Sequence, residues 1–190
     1  MSTREPIARG VVSSLAVNGT EVNSLAFHLE GPHGDDHAGF SRSLSGHDGG
    51  YMKTSDLRKG ATIFNWRSWT GLSHEEVCEI EEQLGYRIPT GCILENIRIS
   101  GIPAFSEITP ASRLVFPSRE GPEMQAILAV WEENGPCLTA GMRVQEHYGI
   151  PGLAFRFVEA ANKRRGVMGF VLAPGRIDVG DRVLLYPPER

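Results

Sequence analysis

Residues 7–29 read IARGVVSSLAVNGTEVNSLAFHL. Two extended-looking runs flank Asn18-Gly19, a strong two-residue turn signal, because both central positions of such a turn need a positive φ that Asn and Gly tolerate. The stretch predicts a hairpin, with SLAFHL continuing in extended form. The same manner returns along the chain. ATIFNWRSWTGLS (61–73), ASRLVF (111–116), MQAILAVWE (124–132) and GVMGFVLAPG (166–175) are strand-like runs. GCILENIRISGI (91–102) sets Glu95-Asn96 inside another, and RIDVGDRVLLYPP (176–188) reads as a hairpin-like end turning at Gly180-Asp181.

Short helices interrupt these strands. Ser73-His74-Glu75-Glu76 is a capping box in which the Ser73 hydroxyl takes the Glu76 amide and Glu76 reaches back. Val77, Ile80 and Leu84 form its apolar stripe, Gly85 its stop, and Cys78 is expected to be a packing residue. LTAGMRVQEHYG (138–149) predicts a helix closed by Gly149, and GLAFRFVEAANK (152–163) a further turn or two with Phe155, Val158 and Ala161 on one face. There is no regular βαβ alternation, which disfavours a doubly wound sheet. The fold expected is mostly β: a single barrel-like domain over residues 1–190 with a few inserted helices.

Composition narrows the function classes. Hydrophobic residues make up 41% of the 190 and charged residues 22%, as in an ordinary globular protein. A net charge of −4 argues against a nucleic-acid partner. No apolar run approaches the roughly 20 residues that span a bilayer, so no membrane partner is expected. MSTREPIARG (1–10) carries no apolar signal core. Three cysteines, Cys78, Cys92 and Cys137, with no Cys-x-x-Cys, speak for free thiols in a reducing cytoplasm.

Cys137 is the sharpest chemical candidate. It follows Gly135-Pro136 and opens a predicted helix, where unpaired amides and the positive dipole end favour a thiolate; the alternative is a buried structural cysteine. The loop GPHGDDHAGF (31–40), with His28 before it and His47-Asp48 after it, is the second. His33, His37 and Asp36 could ligate zinc or iron. The four-residue spacing serves that purpose only in a helix, which Pro32, Gly34 and Gly39 oppose. A loop lining a substrate or cofactor site is the competing reading, and an Asp-capped turn the plainest one. Lys163-Arg164-Arg165-Gly166 either holds an anion or is a solvated turn, and Arg113 and Arg119 could join its field. Glu95-Asn96, charged and polar amid apolar neighbours, must face a cleft or cap a turn.

Taken in order, GDDHAG (34–39), LENIRISGI (94–102), SRLVF (112–116), NGPC (134–137), RRGVMGFVLAPG (164–175) and GDRVLLY (180–186) resemble the MOSC domain, the molybdenum-cofactor sulfurase C-terminal domain, which also occurs in stand-alone proteins. The motifs span residues 34–186. The resemblance implies a β-barrel of the pyruvate-kinase-barrel-like kind and a cleft that binds the molybdenum cofactor (molybdopterin). By position it carries over Cys137 as sulfur carrier or molybdenum ligand, and His37 with Asp36 as proton suppliers. Arg165, Arg164, Glu95, Asn96 and Asp35 become cofactor-binding residues. Pyridoxal phosphate binding is a further association of the family. Here Gly91-Cys92-Ile93-Leu94 replaces the glycine-rich approach to Glu-Asn seen in many members, and Cys92 is read as a core residue. Larger members carry an N-terminal barrel, ferredoxin or aminotransferase modules that these 190 residues do not show. An external sulfur or electron donor protein is therefore implied, together with a small-molecule substrate; some members reduce N-hydroxylated compounds. The rival reading is a non-catalytic module binding the cofactor or a small anion.

Overall fold

In a computed structural model of the chain, residues 5–45, 56–118 and 124–189 are described. β1 (Ala8–Val17) and β2 (Thr20–Val22) pair with Val17 opposite Thr20, leaving Asn18 and Gly19 at the turn with φ of 49° and 83°. The returning arm does not stay beside β1. β13 (Arg182–Tyr186) occupies the same edge of β1 from Ala8 to Val11, so β2 ends after three residues. The chain then peels off as β3 (Ser24–His28), which pairs with β4 (Gly31–Pro32) and β12 (Gly175–Asp178).

Among the described residues seven strands close a barrel. The ring runs from β13 through β9 (Arg113–Pro117), β10 (Met124–Glu133), β11 (Val167–Ala173), β7 (Trp69–Ser73) and β8 (Ile97–Ser100) to β1, which pairs again with β13. All neighbours are antiparallel except β7 and β8, because α1 (His74–Leu84) lies in the crossover between them. Alternate residues fill the barrel, Val183 and Leu185 from β13, with Trp69, Phe105 and Phe116 among the fully buried side chains. At Gly169 in β11 a Cβ would lie 1.8 Å from the Ala129 carbonyl oxygen, so the two strands leave no room for a side chain.

Two expected continuities break. The turn at Gly180 (φ 86°) exists, but β12 pairs with β3 while β13 pairs with β9 and β1, so it is a corner between sheets rather than a hairpin. Residues 61–73 likewise divide into β6 (Thr62–Phe64), paired with β5 (Ser41–Ser43), and β7. Leu44, Ile63 and Trp66 seat this small hairpin, with Phe170 of β11 packed against them.

α1 starts and stops as expected: Ser73 Oγ accepts from the Glu76 N–H (3.2 Å), and Gly85 is left-handed at φ 74°. The reciprocal half of the capping box is missing, since the Glu76 carboxylate turns to Ser106 and Ser73 Oγ donates to Glu75 instead. Cys78 is exposed, not packed, because turning Val77, Ile80 and Leu84 inward leaves it on the outer face. α2 (Leu138–Tyr148) ends at Gly149 (φ 66°) and crosses α3 (Leu153–Ala160) so closely that a Cβ on Gly141 would come within 2.4 Å of the Ala154 carbonyl oxygen. That contact turns Ala154, Phe157 and Ala161 inward and leaves Phe155, expected on the buried face, 70% exposed. The three helices share a second core with Ile88 and Ile93. No described helix is long and apolar enough to cross a membrane.

Candidate functional site

A cleft of about 360 Å³ opens at the end of the barrel where β7 and β8 begin and β10 ends. Cys137 stands on its wall as the N-cap of α2, in extended backbone (φ −130°, ψ 157°), half-buried and making no side-chain cap bond. Cys137 thus lines the cleft at the amino end of a helix while packing, half-buried, against the helical core.

His37 reaches the same cleft from the glycine-rich loop. Gly31 takes φ 134°, and a Cβ there would lie 2.8 Å from the Ser68 carbonyl oxygen, so the loop presses directly on the approach to β7. Asn65 Nδ2 secures it by donating to the carbonyls of His37 (2.8 Å) and Gly39 (3.0 Å). The imidazole Nδ1 lies 3.2 Å from Asp35 Oδ1, which also accepts the His37 backbone N–H. Asp35 Oδ2 accepts from Asn96 Nδ2 (2.7 Å), and Asn96 Oδ1 from the Thr70 N–H (2.9 Å). The chain Thr70–Asn96–Asp35–His37 thus holds the ring from behind and leaves Nε2 as its other nitrogen. The Asp35 hydrogen bond raises the His37 pKa above its ordinary 6.5, against an opposing contribution from burial. Burial alone would raise Asp35, but hydrogen bonds from His37 and Asn96 outweigh it and hold the carboxyl below its ordinary 3.8.

A pH dependence follows. The His37 contribution to stability is fully present below its unfolded pKa and is lost as pH rises through the raised folded value. The Asp35 contribution is present above 3.8 and is lost as pH falls through the lowered one. NMR titration should place the His37 imidazole above 6.5, and Asp35→Asn should bring it down. An unchanged titration in Asp35→Asn removes the pair.

Arg165 forms the back of the cleft. Only 5% of it is exposed; Nη2 donates to the Ile93 carbonyl (2.5 Å) and Nη1 has no partner among the described residues. Burial lowers its pKa below the usual arginine range, with the charge of Glu95 opposing. Such a buried, half-used guanidinium beside a thiol suits an anionic ligand group. Arg42, Arg67 and Arg143 line the cleft too, and among its described lining residues there is no carboxylate. These three were missed in the sequence because they lie far apart in it and share no local pattern.

Other expected residues go elsewhere. Asp36 is exposed and caps the Asn18 turn, its N–H donating to Asn18 Oδ1 (3.0 Å) and its carboxylate accepting from Nδ2; Asp35, not Asp36, backs His37. Arg164 does not join the cleft but pairs with Glu79 on α1 (2.7 Å). Arg113 pairs with Glu189. Glu95 and Asn96 divide the two roles foreseen for them: Asn96 lines the cleft, whereas Glu95 is buried, accepts from the Gly91 N–H (2.9 Å) and pairs with Arg98. Cys92 packs beside the helical core, and burial pushes its thiol pKa up. His33 is exposed and sets its ring edge-on against His28 (5.3 Å between centroids) instead of joining His37 and Asp36. No group of three metal-ligating residues occurs among the described residues. His47, Asp48 and Arg119 lie outside them.

A closed barrel carrying Cys137, Asn96 and Arg165 on one cleft is the architecture on which the sequence motifs converge. The chain belongs to the MOSC domain family, whose match covers residues 66–184. Among particular relatives, it is 30% identical over 172 residues to the YuaD protein of Bacillus subtilis (strain 168), across 90% of this chain and 83% of that one. The name of that protein carries the words metal-sulfur cluster biosynthesis. The crystal structure of YuaD superposes with a TM-score of 0.83 at 28% identity, covering 95% of this chain and 97% of that one. YiiM from Escherichia coli, at 14% identity and a TM-score of 0.59 over 95% of this chain and 71% of its own, shares the fold.

Proposed function

We propose that the cleft binds the molybdenum cofactor by its anionic end and that Cys137 works there as metal ligand or sulfur carrier. The observation that supports this most is that one cleft is lined both by Cys137, at the start of α2, and by the buried Arg165 guanidinium, whose Nη1 has no partner among the described residues. Arg165, Arg143 and Arg67 would hold phosphate charge, and Asn96 a polar ring edge. Bound there, the group would supply a redox-active metal. The chain's own part is to hold it, to present the Cys137 sulfur, and to keep a proton at His37 Nε2, with Asp35 fixing the ring. Reduction of an N-hydroxylated substrate consumes two protons and two electrons; on this reading the electrons, or the sulfur, come from an external donor protein. The name of YuaD points the same way, toward metal and sulfur handling. A reducing cytoplasmic setting suits three free thiols. Pyridoxal phosphate fits poorly, since no lysine for covalent attachment stands among the described cleft residues.

The second reading, a non-catalytic module for the cofactor or a small anion, draws on the four arginines of the cleft, which favour an anion with or without turnover. Expression in a host that makes molybdopterin tests both. The wild type should co-purify with molybdopterin and molybdenum, and Arg165→Met and exposed Arg143→Gln should each reduce the yield of bound pterin about tenfold. Wild-type protein that carries none overturns the cofactor reading. Bound cofactor without donor-dependent reduction of an N-hydroxylated compound leaves the binding module.

A further inference from the structure

Gly166 is a crossing point behind the cleft. Its φ of +79° and a would-be Cβ contact of 1.9 Å with the Gly71 carbonyl oxygen press its backbone against β7. Its N–H donates to Ser106 Oγ (2.7 Å), and its carbonyl accepts from the Asn134 N–H (2.9 Å). Arg165 precedes it directly, and Asn134 stands three residues ahead of Cys137. The two cleft groups are thereby tied to one residue, through the two peptide groups that flank it.

Gly166 is held in turn from α1. Ser106 Oγ donates to Glu76 Oε2 (2.7 Å), and the Ser106 N–H donates to Glu76 Oε1 (3.0 Å). Both residues are buried, Ser106 at 2% and Glu76 at 9% exposure. Glu76 occupies the position from which a capping box reaches back to its own helix start, and it forgoes that local bond to span 30 residues of sequence. Burial raises its pKa above 4.5, against the opposing hydrogen bonds from Ser106, with Glu79 raising it further and Arg164 lowering it. A local rule broken in favour of a costly buried carboxylate marks a geometry that the rest of the molecule depends on.

We infer that Glu76 and Ser106 are positioning residues, which act through the Gly166 backbone to set the Arg165 guanidinium relative to the Cys137 sulfur. Neither residue lines the cleft. Their effect is on the electrostatic field at the sulfur. The inference rests on the anion-binding reading of the cleft, and the experiment separates the two.

Alkylation of the folded full-length protein with anionic iodoacetate and with neutral iodoacetamide, quantified per cysteine by mass spectrometry, gives a rate ratio that reports positive potential at each sulfur. Cys78, exposed on α1 and away from the cleft, is the internal reference. Wild-type Cys137 should favour iodoacetate relative to Cys78. In Ser106→Ala that preference should fall about three- to tenfold with Cys78 unchanged, and in the near-isosteric Glu76→Gln the Cys137 ratio itself should fall likewise, Cys78 being no reference there because it lies two positions away on α1. Ser106→Thr, which keeps the hydroxyl, should recover most of it. A merely structural pair would lower the melting temperature and leave the ratio at Cys137 intact; that outcome in a folded variant overturns the positioning role. If Ser106→Ala does not fold, Glu76→Gln decides alone. A wild-type Cys137 with no preference for iodoacetate counts instead against the anion-binding cleft.

Discussion

Glu95→Ala should be the most destabilising single change near the cleft, lowering unfolding free energy by about 3–5 kcal/mol. Glu95 is 1% exposed and Arg98 6%. Arg98 Nε donates to Glu95 Oε1 (2.6 Å), Nη1 to the Ile88 carbonyl (3.0 Å) and Nη2 to the Pro89 carbonyl (2.8 Å). Removing the carboxylate leaves a guanidinium without its counter-charge in the interior and frees the Gly91 N–H as well. The penalty is that of an uncompensated buried charge, larger than the net worth of the pair itself. For a chain of this size a loss of 1 kcal/mol lowers the melting temperature by about 2–4 °C, so a fall of roughly 6–20 °C is expected. The double variant Glu95→Ala/Arg98→Met should recover part of it, which a double-mutant cycle in urea would measure. A single-variant loss below about 1 kcal/mol would show the pair to be solvated. The turn it braces carries Ile93, whose carbonyl holds Arg165, so the anion binding proposed for the cleft should weaken together with stability.

On the reading proposed for the cleft, Cys137→Ser should abolish donor-dependent turnover, by on the order of 10³-fold or more, while leaving the fold intact. The serine hydroxyl can cap α2 at least as well as the thiol, which makes no cap bond. Comparison with the other two cysteines makes the test specific. Cys78 sits on the outer face of α1, and Cys92 is half-buried with its thiol held protonated to higher pH by burial and by the nearby Glu95 charge. Cys78→Ser and Cys92→Ala should both retain activity. Full activity in Cys137→Ser would end the thiol mechanism and leave a cleft that binds its ligand through arginine and asparagine alone.

These expectations come from different levels of the molecule. The capping serine, the Asn18-Gly19 turn and the left-handed stops at Gly85 and Gly149 are local devices, and each was legible because a few adjacent residues suffice to make it. The apolar stripe of α1 was legible for the same reason. The buried face of α3 was not, because the close approach of Gly141 to Ala154 chose it. Cys137 stood out through its own neighbours, Gly135-Pro136 before it and a helix after it. Asp35 was not separable from Asp36, since one of the two adjacent carboxylates meets Asn96, distant in sequence, and the other meets Asn18.

By itself, the order of residues determined the helix ends, the mostly extended character of the chain, the family motifs and the cysteine at the start of α2, all of which depend on interactions within a few positions. Only the tertiary structure decided which strands meet to close the expected barrel, that the apparent hairpin at Gly180 is a corner, and that four arginines from separate segments meet on one cleft. The physical reason is that strand partners and buried charges are selected by edges and surfaces brought together in space. β2 stops where β13 already occupies its edge of β1, and Glu76 abandons its own helix because Ser106 is within reach.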